Sequence, residues 1–151
     1  MDATQMKLGS EAAYYQAKKS FDEGGIPIGS ALLIGDCVVS LGHNRRYQNG
    51  SNIFHGETDC IERAGHNCDF RRATLFSTLS PCMMCAGAIS LFGIPTVVIL
   101  DTENASEFPD SKPFLHSAGV NVIVSPYQPA MDLMKSYRER FPEKWLKDIG
   151  K

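Results

Sequence analysis

The sequence predicts an α/β fold in three layers, α/β/α, with a central mixed five-stranded sheet that carries helices on both faces. Three observations predict it. Short apolar, β-branched runs alternate with segments of helical period along the chain, the pattern of a sheet interleaved with helices. The first two runs, Ile28 to Ile34 and Cys37 to Leu41, are separated only by Gly35-Asp36, which predicts a hairpin. Thr96 to Leu100 is an unbroken β-branched run, typical of a strand buried on both faces.

The elements follow in order. Ser10 reads as the N-cap of a first helix that stops at Gly24-Gly25 and carries Ala13, Ala17 and Phe21 on one stripe. After the hairpin, Gly42 to Asn52 reads as a polar loop. His55 to Ala64 has helical spacing and ends at Gly65, while Thr74 to Leu79 alternates as a strand does. Cys82 to Phe92 is a second such helix, closed by Gly93 and Pro95. Val120 to Val124 supplies the fifth strand, Gln128 to Arg140 a long helix opened by Pro129, and Glu143 to Ile149 a short terminal helix. With no repeat, linker or low-complexity tract, residues 1–151 read as one domain.

Composition narrows the function. Of the residues, 43% are hydrophobic and 21% charged, an ordinary balance for a soluble globular chain. A chain of 151 residues buries roughly 70% of its unfolded surface, so it needs no metal merely to fold. Fifteen basic and 17 acidic residues give a net charge of −2, with no basic run longer than a pair, which argues against a large nucleic-acid footprint. Arg45-Arg46 reads as solvated loop charge. No stretch reaches the roughly 18 apolar residues of a membrane span, and Met1 to Gly9 lacks the apolar core of a signal peptide, so a cytoplasmic location is expected.

The five cysteines are an odd set holding one C-x-x-C, which in an intracellular enzyme points to metal or redox chemistry rather than a disulfide framework. Cys82 and Cys85 lie on one face of the helix they open, so both thiolates can reach one ion, and the helix N-terminus favours their deprotonation. Cys37, Cys60 and Cys68 read as small core residues. His55 starts the other helix and, with the two cysteines, makes a set of three zinc-type ligands. A closed structural zinc site uses four protein ligands, whereas a catalytic one keeps a position for water. Glu57, two residues beyond His55, turns away from the ligand direction and suits a general acid and base beside that water, whose pKa zinc lowers to about 7.

His55-Gly56-Glu57 with Ser80-Pro81-Cys82-Met83-Met84-Cys85 resembles the signature of the cytidine and nucleobase deaminase superfamily, most closely the fungal-type cytosine deaminases. The likeness spans Glu11 to Gly150 and includes Glu23 to Gly29, Gly42-His43-Asn44 with Arg46, Phe92 to Pro95, and Lys144 to Gly150. It implies a cytidine deaminase-like fold, Zn²⁺ held by His55, Cys82 and Cys85, and proton transfer by Glu57. It further implies that Asn44 orients the base, that backbone near Gly56, Glu57 and Cys82 adds hydrogen bonds, and that Trp145 and Asp148 come from a C-terminal lid. Met83 stands where the fungal pattern usually has an acidic residue. Thr102 to Pro109 replaces a loop that there supplies a pocket aromatic, so that either Phe108 fills the place or Ala105 leaves the pocket wider.

The function implied is zinc-dependent conversion of a free nucleobase, cytosine to uracil plus ammonia, by a cytoplasmic homodimer in pyrimidine salvage that takes a small-molecule substrate and no nucleic acid. A second reading keeps the chemistry and changes the substrate to another amino-heterocycle, a nucleoside or adenosine in tRNA. A third is a non-catalytic zinc module in which Cys60 completes a four-ligand site.

Overall fold

The computed structural model describes residues 1–151. Its strands are β1 (Gly29–Ile34), β2 (Cys37–His43), β3 (Ala73–Ser77), β4 (Thr96–Ile99) and β5 (Asn121–Val124). They form one sheet in the order β2-β1-β3-β4-β5. β1 runs antiparallel to both β2 and β3, whereas β3, β4 and β5 are mutually parallel, so the sheet is mixed as expected. The helices are α1 (Ala3–Asp22), the single turn α2 (Arg46–Asn49), α3 (Gly56–Ala64), α4 (Met83–Leu91), α5 (Lys112–Ser117), α6 (Gln128–Arg140) and α7 (Pro142–Asp148).

Alternation along the strands divides the core between the two faces. Leu32, Leu75 and Val97 point to one side and pack with Cys60 and Ile61 of α3, Ala86 and Ile89 of α4, and Leu115 of α5. Their neighbours Ala31, Leu33, Phe76 and Val98 point to the other, against Ala13 of α1. A third cluster, Ile26, Ile28, Leu79, Met134, Tyr137 and Trp145, fills the space where α6 and α7 close over one end of the sheet. Two glycines let the layers approach: a Cβ on Gly29 would strike the backbone of Ala13 and Ala17, and one on Gly42 the backbone of Cys60.

Several expectations need correction. The first helix begins at Ala3, because Asp2 and Gln5 form a reciprocal capping box (2.8 and 3.1 Å), and Ser10 is buried in its interior on the face that holds Ala13 and Ala17. Gly42 to Asn52 is not all loop: β2 continues to His43, and Arg46–Asn49 makes a helical turn. Cys37 is exposed rather than buried, since β2 is the edge strand and starts with a solvent-facing run. Cys68 is half-buried and packs against the α3 side of the core, and Cys60 is fully buried there. α5 did not stand out in the sequence, its single turn and a half being too short for a periodic signal.

The C-terminal ends of β2, β3 and β4 and the N-terminal end of β1 meet at one edge of the sheet. Gly29 and Thr78 fasten that edge with a reciprocal pair of hydrogen bonds, both 3.0 Å. Ligand crevices of α/β sheets form at such strand ends.

Candidate active site

Two helix N-termini face each other there. His55 caps α3 and Cys82 caps α4, both in extended backbone conformation (φ −76° and −72°). The backbone N–H of His55 donates to Thr58 Oγ1 at 2.9 Å, which fixes the first turn. Asp59, in the same helix, accepts from the His43 N–H (3.0 Å) and Arg63 Nε (3.2 Å), so α3 is tied to the end of β2. Across the pocket, Ser80 N–H donates to the Asp101 carbonyl at 2.9 Å and Ser111 Oγ to the Pro81 carbonyl at 2.6 Å, which holds the loop before α4.

These frames bring three ligand atoms together. His55 Nδ1 lies 3.5 Å from Cys82 Sγ and 3.6 Å from Cys85 Sγ, and all three atoms fall within 4.8 Å of one another. A tetrahedral zinc with Zn–S near 2.3 Å and Zn–N near 2.1 Å separates neighbouring ligand atoms by about 3.5 Å, so the donor set and its spacing fit the ion. The nitrogen facing the thiols is Nδ1, while Nε2 faces Asp148 Oδ1 at 3.6 Å. The Cys85 thiol is the largest influence drawing Cys82 down to about 4, against the effect of burial and with help from His55, so Cys82 favours the thiolate that a metal requires. Cys60 Sγ stays in the core and is no part of this group, which removes the four-ligand alternative.

Glu57 is 3% exposed and lines the same cavity as His55 and Cys82. Burial, with the adjacent Cys82 charge, pushes its carboxyl up to about 7. Gly56 is buried against Ser30, whose Oγ stands 3.1 Å from where a Cβ would lie.

The opposite wall comes from the end of the chain. Trp145 (2% exposed), Asp148 and Ile149 of the α7 region close the cavity with Phe108, and the Phe108 and Trp145 rings meet edge to face at 6.2 Å. Of the two readings for the loop Thr102 to Pro109, Phe108 therefore lines the pocket, and Ala105 packs behind it. Asn44 is fully buried: its Nδ2 donates to Asp148 Oδ2 at 3.0 Å and its Oδ1 accepts from the Arg46 N–H at 3.0 Å. Asp148 Oδ1 has no hydrogen-bond partner, although Arg46 Nη1 approaches to 3.9 Å. About 20 Å³ of free space remains inside, little more than one water needs. A larger surface groove of about 300 Å³, lined by Met83, Met84 and Pro109, adjoins it.

Arg45 and Arg46 are not solvated loop charge. Arg45 Nε lies 2.9 Å from Asp59 Oδ1, paired in charge without an aligned hydrogen bond, and Arg46 faces Asp148. Sequence reasoning also missed Ile28, Leu79 and Ser80 as lining residues, and Glu107, which accepts from Trp145 Nε1 at 3.0 Å. Ser80 alone had a signal, its place directly before Pro81-Cys82.

Three ligands around one point, beside a small cavity that holds a carboxylate of raised pKa, are what a zinc-dependent aminohydrolase requires. Residues 3–101 match the family described as the cytidine and deoxycytidylate deaminase zinc-binding region, and the chain belongs to that family. It is 42% identical over 147 residues to a cytosine deaminase of Candida albicans, covering 95% of this chain and 96% of that protein. A tRNA-specific adenosine deaminase of Bacillus subtilis is 38% identical over 98 residues, 63% of this chain and 61% of the relative. Among solved structures, the guanine deaminase of Nitrosomonas europaea shares the fold at TM-score 0.74 with 16% identity, covering 92% of this chain and 94% of that one. A wobble-position tRNA deaminase shares it at TM-score 0.70 with 22% identity, covering 82% and 100%.

Proposed function

We propose that this chain hydrolyses the exocyclic amine of a free nucleobase, converting cytosine to uracil and ammonia. The observation that carries the substrate is the likeness to a cytosine deaminase along nearly the entire length of both chains. The tRNA deaminase similarities cover less of the chain, 63% in the Bacillus subtilis relative. The small cavity beside the ligands, walled by Trp145, Asp148 and Ile149 of the α7 region, supports the same reading, since it suits a single small ring.

His55 Nδ1, Cys82 and Cys85 hold the zinc, which when bound supplies the Lewis acidity that makes a water nucleophilic near neutral pH. Glu57 takes a proton from the attacking water and passes it to the departing amine, so that water and an amino carbon become a carbonyl and ammonia. Its raised pKa suits both halves of that task. Asn44, whose amide is bonded to Asp148 Oδ2 and to the Arg46 N–H, orients the base through Asp148, whose Oδ1 makes no hydrogen bond and accepts from the exocyclic N–H. Trp145 and Phe108 pack on the ring. About 20 Å³ is free between these walls, and the groove of about 300 Å³ that shares His55, Cys82, Phe108 and Asp148 is the side from which a base enters, with a shift of α7 or the Phe108 loop making room for it. A cytoplasmic homodimer serving pyrimidine salvage, built on one domain, completes the proposal. No helix is long and apolar enough to cross a membrane.

The test is ammonia release by zinc-loaded protein from cytosine, 5-substituted cytosines, cytidine, adenine and guanine. Cytosine is expected to turn over and cytidine not. Turnover of cytidine with cytosine untouched overturns the free-base reading.

A further inference from the structure

Behind the aromatic wall lies a chain of side chains that no catalytic step uses. Glu107 Oε1 accepts from Trp145 Nε1 at 3.0 Å and from Arg138 Nη2 at shorter range. Arg138 Nη1 donates to Asn104 Oδ1 at 2.9 Å. Asn104 Nδ2 in turn donates to Asp101 Oδ2 at 2.6 Å, and its backbone N–H to Asp101 Oδ1 at 3.1 Å. Asp101 is the residue whose carbonyl accepts from Ser80, two positions before Cys82. The lid is thus connected, bond by bond, to the loop that carries a zinc ligand.

Glu107 is the joint in that chain. It is the neighbour of Phe108 in sequence, so one carboxylate fixes the loop carrying Phe108 and the indole against which Phe108 packs. The link matters because α7 is held to the rest of the molecule by few other polar ties, chiefly Asn44 to Asp148 and Tyr47 Oη to the Lys144 carbonyl at 2.9 Å. Burial raises the Glu107 carboxyl, but the bonds from Trp145 and Arg138 outweigh this and keep it below the ordinary carboxylate range. It is therefore a charged acceptor at neutral pH, and charge-assisted hydrogen bonds are roughly twice as strong as neutral ones.

We propose that Glu107 is a positioning residue of the substrate pocket: by holding the Trp145 indole and the Arg138 guanidinium on one carboxylate, it sets the separation of the Trp145 and Phe108 rings and so the pocket's grip on a small base. It touches no reacting atom and acts through Trp145. Its loss weakens binding of ground state and transition state alike, which raises KM and spares kcat. Only the kinetic part of this assignment rests on the free-base reading.

Trp145 is the sole tryptophan, so its fluorescence reports on this joint whatever the substrate. Emission, acrylamide quenching, zinc content, and KM and kcat for cytosine are compared in full-length zinc-loaded wild type, Glu107→Ala and Glu107→Gln. Glu107→Ala is expected to expose the indole to quencher and to raise KM about tenfold, with kcat within about twofold and zinc unchanged. Glu107→Gln keeps an acceptor for the indole N–H and is expected to lie between the two; it carries the test by itself if the alanine variant does not fold. Unaltered quenching in a folded variant overturns the assignment, as does a raised KM without a change at Trp145. If the wild type deaminates no free base, the functional reading fails while the quenching comparison still decides the role of Glu107.

Discussion

The two walls of the pocket are built in different ways. On the metal wall, His55, Glu57, Cys82 and Cys85 sit in the first turns of α3 and α4, helices that pack directly on the sheet. On the lid wall, Asn44, Phe108, Trp145 and Asp148 come from three separated stretches and meet through side-chain bonds, Asn44 to Asp148 spanning 104 residues. Helices packed on a sheet open with the whole fold, whereas a short helix held by one small apolar cluster and a few polar ties can open alone. In the proposed function the metal wall carries the chemistry and the lid wall governs what enters and leaves.

That division can be broken by substitution on either side. The largest effect is expected at the ligands: Cys82→Ser loses zinc and turnover together, while far-UV circular dichroism stays near wild type because the three core clusters remain. A fold lost with the metal would show that the site is structural. Next is Glu57→Gln, expected to keep its zinc and to lower kcat by about 10² to 10⁴. Near-normal turnover with full zinc content would leave the proton shuttle without support.

The lid side is expected to respond less and differently. Truncation before Trp145 should depress kcat/KM well beyond any fall in zinc content, as metal analysis on the assayed sample would reveal; equal losses would make the two walls one unit. The smallest effect is on acid stability. Because the folded pKa of Glu107 is depressed, its bonds to Trp145 and Arg138 contribute stability that is present above the ordinary carboxylate pKa and lost as pH falls through the lower folded value. Melting temperatures of wild type and Glu107→Gln should therefore differ at neutral pH and converge in acid, and parallel curves would contradict it.

The same division explains what could be read from the sequence. The metal wall is local: a histidine and a C-x-x-C at helix starts, each followed by a glycine stop, carry their geometry in their spacing. The five strands likewise showed in apolar period and turn chemistry. The lid wall has no such spacing. Nothing near Asp148 marks it as buried, and Arg45 and Arg46 look like loop charge until Asp59 and Asp148 arrive from elsewhere. Only resemblance to a family pointed to Asn44, Trp145 and Asp148, and Glu107 had no signal because its partners are 31 and 38 residues away. Ser10 misled for a local reason, since a serine before an alanine-rich stripe imitates a cap when a better one lies upstream.

Hydrolysis of a free base at this site is tested most directly by incubating zinc-loaded protein with cytosine in water enriched in heavy oxygen and measuring the product mass together with ammonia. The expected result is uracil carrying one solvent oxygen, one ammonia released per uracil, and no reaction in Glu57→Gln at matched zinc content over the same interval. Unchanged cytosine, alongside conversion of cytidine or of adenosine in tRNA, would contradict it.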